Sequence, residues 1–147
     1  MEKRVALIQS GLDRPTIWNK RVKTIFFDIY LLNTVHKIGE CDLRIGMNEE
    51  LFYAGNIGYR IYSGWRGHHY AEEACHQLID IAKNEYHLNE LVITCSPDNE
   101  ASRKTIVRCG GLYKKTVDVP YWHWLYKRGE KVKEIYYLNL GEEDSHA

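Results

Sequence analysis

Apolar and polar positions change period twice along the chain. In residues 36–47, Ile38, Cys41, Leu43 and Ile45 recur in part at two-residue steps, and residues 22–32 are rich in Ile, Phe and Tyr. Side chains alternate across a strand, so this region predicts two paired strands turning around Asn33 and Thr34. Residues 4–8 predict a short first strand, and residues 9–21, with Gly11 and Pro15, predict a loop. Residues 57–62 give a further strand, interrupted by Gly58 and leading into Ser63-Gly64-Trp65-Arg66-Gly67. There the period lengthens to about 3.6, because Ala71, Ala74, Cys75, Leu78, Ile79, Ala82 and Tyr86 share one helical face.

Residues 91–95 form a compact apolar run of strand length directly after that helix. Strand, helix and strand in this order predict a right-handed crossover with a parallel pair. Asp98 or Asn99 is placed to cap a second helix that Gly110 ends. Residues 112–119 and 134–140 predict two closing strands joined by the aromatic loop Pro120-Tyr121-Trp122-His123-Trp124-Leu125-Tyr126. That loop reads either as a ligand or partner surface or as a small satellite core. The sum is an α/β fold whose mixed, mostly antiparallel central sheet has about six to seven strands with helices packed on it.

Composition narrows the class. A chain of 147 residues with 44% hydrophobic and 27% charged residues suits one globular domain over residues 1–147, with no linker-like stretch to divide it. The net charge is zero, which argues against a general nucleic-acid binder. The charge is unevenly spread, however: −5 over residues 66–100 and +6 over residues 101–135. Cys41, Cys75, Cys95 and Cys109 lie far apart without a CxxC pair, so reduced, buried thiols and no metal are expected. No apolar run approaches the roughly 20 residues of a membrane span, and the first ten residues do not resemble a signal peptide, so a cytoplasmic protein without a membrane partner is expected.

The chemistry concentrates in two segments. The turn Arg66-Gly67-His68-His69-Tyr70-Ala71 opens onto the first helix, and such a turn aims unpaired N–H groups and the positive end of the helix dipole at one point. By itself it fits a phosphate site or an ordinary loop. Downstream come Asn99-Glu100-Ala101-Ser102, Ile106 and Cys109-Gly110. In this order and spacing the two segments resemble the Gcn5-related N-acetyltransferase (GNAT) superfamily. Its phosphate motif reads Arg or Gln, two residues, Gly, one residue, then Gly or Ala; Arg66 and Ala71 hold the ends, and His69 stands where Gly is usual. Asn99, Ala101, Ser102 and Gly110, with Gly58-Tyr59, resemble the branch of ribosomal-protein N-terminal acetyltransferases. The likeness covers residues 55–113.

The resemblance implies the acyl-CoA N-acyltransferase fold and transfer of an acetyl group from acetyl-CoA to an amine. The pyrophosphate would rest on the turn formed by Arg66, Gly67, His68, His69, Tyr70 and Ala71, with His69 crowding the phosphate, contacting it, or lying on the surface. The pantetheine arm would pair with the fourth strand, an N–H near Ile61 or Tyr62 facing the oxyanion. Asn99 is a cofactor contact or a helix cap; Arg103 and Lys104 are attracted to the 3′-phosphate or simply solvated. Many relatives carry a tyrosine acid seven positions after the Asn, where this chain has Ile106, so Ser102 becomes the expected donor to the departing thiolate, with a capping serine as the alternative. Glu40, Asp42 and Tyr59 are the candidate bases.

Relatives also carry two helices between the first two strands, for which residues 9–21 leave no room. The acceptor side is then open, completed by a second copy in a homodimer, or rebuilt by the C-terminal loop. The expected acceptor is a small-molecule amine or a protein N-terminus. The reading from a different class is a non-catalytic CoA-binding or protein-interaction module of the same fold.

Overall fold

The computed structural model describes residues 3–20 and 22–141. Four strands, β1 (Val5–Asp13), β2 (Lys23–Leu31), β3 (Lys37–Ile45) and β4 (Ile57–Ile61), form one antiparallel sheet in sequential order. The alternation read from the sequence is the cause: Ile25, Phe27 and Ile29 of β2 and Cys41 and Leu43 of β3 are buried on one face. The turn between β2 and β3 places Asn33 at φ 63, a left-handed conformation that Asn tolerates. The expected loop over residues 9–21 is shorter than the sequence suggested. After a register shift between Gln9 and Gly11, β1 continues to Asp13, pairing Gly11 with Phe26. A bulge inserts one residue without ending a strand, so glycine here marks an irregularity within β1. Among the described residues no helix stands between β1 and β2.

A second sheet has the order β5-β7-β6, built from β5 (Glu90–Cys95), β6 (Leu112–Asp118) and β7 (Val132–Asn139), and both its ladders are antiparallel. The expected parallel pair of β4 and β5 is therefore corrected: the seven described strands divide into two sheets that meet at one end of β4. The joint is Asn56, only 3% exposed. Its side-chain amide donates to Arg44 O at 2.9 Å and Gly46 O at 3.1 Å on the first sheet, and its Oδ1 accepts from Val92 N at 2.8 Å on the second. Its backbone carbonyl accepts from Arg44 N and its backbone N–H donates to Val92 O, both at 2.7 Å. One residue thus satisfies both sheets, and beyond it β4 and β5 diverge.

Helix α1 (Glu49–Ala54) escaped the sequence reading because six residues show no periodicity. Its cap is local, with Asn48 Oδ1 accepting from Leu51 N. Helix α2 (Tyr70–Asn84) buries Ala74, Cys75, Leu78 and Ala82 with Ile25, Ile29 and Leu43 of the first sheet. Its buried Glu73 accepts from Arg4 N at 2.7 Å and Val5 N at 2.8 Å, which anchors the start of β1. Helix α3 (Glu100–Arg108) buries Ile106 completely and ends before Gly110 at φ 98. All four cysteines are buried and unbridged. No helix among the described residues is long and apolar enough to cross a membrane.

The aromatic loop between β6 and β7 contains helix α4 (Trp124–Lys127) and is partly a satellite core, since His123 and Leu125 are buried while Tyr121 is exposed. The His123 ring accepts from Leu125 N at 3.1 Å through Nδ1 and donates through Nε2 to Glu50 O at 3.0 Å. This tautomer clips the loop to α1. Replacing His123 by Phe keeps the volume and leaves two polar groups unpaired, so the variant is expected to lose about 1–3 kcal/mol of stability, measured as a lower urea midpoint at unchanged slope.

Candidate active site

Hydrogen-bond parity along β4 determines what faces the gap between the sheets. Tyr62 N donates to Ile38 O at 2.9 Å and Arg44 N donates to Asn56 O at 2.7 Å, so the even residues of β4 bond to β3. In an antiparallel ladder the intervening residues point the other way, which turns the backbone groups of Tyr59 and Ile61 toward the gap. Ile61 O shows this orientation by accepting from Arg66 Nε at 2.8 Å. Of the two expected oxyanion donors, Ile61 is turned toward the gap. Tyr62 is not: its N–H is engaged by β3, and its ring lies under Arg60, 5.5 Å from Cζ.

The gap widens into a cavity of about 1330 Å³. One wall is the outer face of the first sheet, with Asp28, Glu40, Asp42, Arg44 and Arg60; the other includes the α2 turn, α3 and the hairpin residues Trp124 and Arg128. Tyr59 and Ser102 both line it, the Tyr59 hydroxyl 2.8 Å from Ser102 Oγ. Burial pushes the Tyr59 phenol up to about 12, against the opposing effect of its bond to Ser102. Tyr59, one of the expected bases, therefore keeps its proton at neutral pH. Ile106, at the position where relatives have tyrosine, is in the core; Ser102 and Thr105 of the same helix line the cavity. Asn99 lines it too, and also caps α3, its Oδ1 accepting from Ser102 N at 3.0 Å.

In the turn, Gly67 has φ 89 and open space where a side chain would begin, and His69 has φ 64. The first carbonyl bonded by α2 is that of His69, which accepts from Glu73 N at 3.2 Å, so the N–H groups before Glu73 precede the helical ladder. Arg66, Gly67, His69, Tyr70 and Ala71 line the cavity; His68 lies outside it, packed against Tyr70 at 5.3 Å. Arg103 is also elsewhere. Its guanidinium bonds Glu134 at 3.0 and 3.2 Å and Pro97 O, bracing α3 on β7 and holding the Glu134 carboxyl below its ordinary range. Lys104, its neighbour, lines the cavity instead.

Glu40 faces the cavity from β3, half-exposed and 3.3 Å from Lys37. Asp42 and Arg44, 2.7 Å apart, lie over Gly58, where a Cβ would fall 2.7 Å from each of them. Glycine at 58 is what admits this pair to the cavity. Sequence reading missed Asn56, Arg44, Thr105 and Arg108, since none sits in a motif or periodic pattern that signals its long-range partner.

A family model described as an acetyltransferase (GNAT) domain matches residues 6–111. The chain belongs to the GNAT acetyltransferase family. An acetyltransferase from Agrobacterium tumefaciens is 26% identical, with a TM-score of 0.59 over 78% of this chain and 60% of that one. The ribosomal-protein-S5-alanine acetyltransferase from Vibrio fischeri is 20% identical, with a TM-score of 0.65 over 81% and 63% of the respective chains. The Microcin C7 self immunity acetyltransferase, solved with acetyl-CoA and AMP, is 18% identical, with a TM-score of 0.59 over 79% and 61%. The chain thus spans about three-fifths of the length of these structures. No curated protein sequence matches it.

Proposed function

We propose that this domain transfers the acetyl group of acetyl-CoA directly to a primary amine. The observation that carries the reading is the Tyr59–Ser102 hydroxyl pair, 2.8 Å apart where the β4 edge faces the gap. The site fits the cosubstrate. The turn from Gly67 to Ala71 offers N–H groups ahead of the helical ladder and open space at Gly67 for phosphates, and Tyr59 offers strand-edge groups for the amides of the pantetheine arm.

Acetyl-CoA supplies an activated acyl group. The protein's own residues then have separate tasks. Arg66 and Lys104 add positive charge on the phosphate side, and the Ile61 N–H stabilises charge developing on the acyl oxygen. The Ser102 hydroxyl donates to the departing sulfur and recovers a proton from Tyr59, which takes one back from solvent before the next turnover. A lysine-like acceptor, with a pKa near 10.4, must lose a proton before it attacks; Glu40 and Asp42 on the outer sheet face are the carboxylates for this, directly or through water. The acceptor is a small-molecule amine or a protein N-terminus. Four unbridged cysteines agree with a reducing, cytoplasmic setting.

The test is release of free thiol from acetyl-CoA across a panel of diamines, amino acids and peptides with free N-termini, with the acetylated product identified by mass. Turnover on at least one amine is expected. Tight binding of acetyl-CoA without turnover on any of them would instead make the domain a CoA-binding module.

A further inference from the structure

His69 occupies a left-handed backbone position, φ 64, where the family most often has glycine. Such a conformation is uncommon for a residue with a side chain, though histidine tolerates it, and it draws attention to what the ring contacts. Its ring is drawn toward α3: Nδ1 lies 2.6 Å and Nε2 3.2 Å from Arg108 Nη1. Arginine can only donate, so the nearer ring nitrogen accepts in this arrangement. Glu72 closes the group, its Oε1 lying 3.7 Å from His69 Nδ1 and 3.5 Å from Arg108 Nη1; His76 Nε2 lies 3.8 Å from the other Glu72 oxygen. Lys104 of α3 and Arg66 of the turn are the further charged groups lining this side of the cavity.

Arg108 belongs to the last turn of α3, 39 positions from His69, yet both line the cavity beside Gly67 and Ala71. Both remain open to a ligand, with side chains 50% and 61% exposed respectively. An exposed ion pair such as Arg108–Glu72 gains little in water, whereas a guanidinium next to a row of backbone N–H groups matches phosphate oxygens in charge and fork geometry.

We propose that His69 is a positioning residue that holds Arg108 beside the α2 turn, making Arg108 a phosphate-recognition residue of the cosubstrate site. This rests on the acetyl-CoA reading above. Of the readings open for His69, this sets aside crowding of the phosphate: the ring contacts Arg108 and brings a cation to the turn.

The test compares the intact protein with His69→Gly, His69→Asn, Arg108→Gln and the His69→Gly/Arg108→Gln double variant. Each is titrated calorimetrically with CoA and with pantetheine, which lacks the phosphates. Glycine suits φ 64 and asparagine tolerates it while supplying an acceptor oxygen, so both variants are expected to fold. His69→Gly and Arg108→Gln are each expected to weaken CoA binding about tenfold, the scale of one charge-assisted hydrogen bond. The double variant should lose no more than the single variants, His69→Asn should stay within about threefold of wild type, and pantetheine binding should not change. CoA binding by His69→Gly that equals or exceeds wild type would overturn the proposal alone. Absence of CoA binding by the wild-type protein would overturn both it and the acetyl-CoA reading.

Discussion

Ser102→Ala is expected to lower kcat about 100-fold, the lower end of what a positioned proton donor contributes, while the KM for acetyl-CoA stays within about threefold. The hydroxyl touches Tyr59 and faces the gap, whereas the groups assigned to hold the phosphates lie in the turn and on the later residues of α3, so loss should fall on the chemical step. Tyr59→Phe leaves Ser102 in place but removes its hydrogen-bond partner, and about a tenfold loss is expected. On the proposed proton relay the two hydroxyls act as one unit, so the double variant should be no slower than Ser102→Ala alone. Steady-state kinetics on the amine identified by thiol release checks all three. The pH profile gives an independent readout. Tyr59 loses its donor role only as pH rises through its elevated pKa of about 12, so this group should add no descending limb below about pH 11. If Ser102→Ala raised KM and left kcat unchanged, its hydroxyl would be a binding contact and not a donor.

Asn56→Leu is the substitution expected to cost most in stability. It preserves the bulk and strands three buried backbone partners, Arg44 O, Gly46 O and Val92 N. At about 1–3 kcal/mol for each buried group left unpaired, partly relieved by relaxation, the loss should reach about 3–5 kcal/mol, a large share of a domain's total. Urea unfolding would measure it. Since Asn56 fixes where the sheets join, the variant should also bind acetyl-CoA more weakly under conditions where it remains folded. A loss below about 1 kcal/mol would mean that the sheets are held together mainly by the core beneath them.

What the sequence disclosed and what it withheld divide along physical lines. Periodic burial was legible: Ala74, Cys75, Leu78 and Ala82 lie on the predicted helical face and are all buried, and the alternation in β2 and β3 marks the inner face of their sheet. Local capping was legible too, because Asn99 bonds a neighbour three residues away. The split into two sheets was hidden, since a lone Asn before a strand carries no pattern, yet its five hydrogen bonds replace the parallel ladder that strand order suggested. The motif brought Ser102 into view but not its hydrogen bond to Tyr59, which joins residues 43 positions apart. Charge alone put Arg103 and Lys104 forward together; Glu134 claims the first, the second lines the cavity, and Arg108, whose place is set by a contact between two helices, gave no such signal.

Calorimetric titration of the intact wild-type protein with acetyl-CoA tests the central claim most directly. The account predicts saturable binding at one site per molecule with Kd below about 1 mM, within the ordinary range for enzyme substrates. No binding at millimolar acetyl-CoA would contradict it.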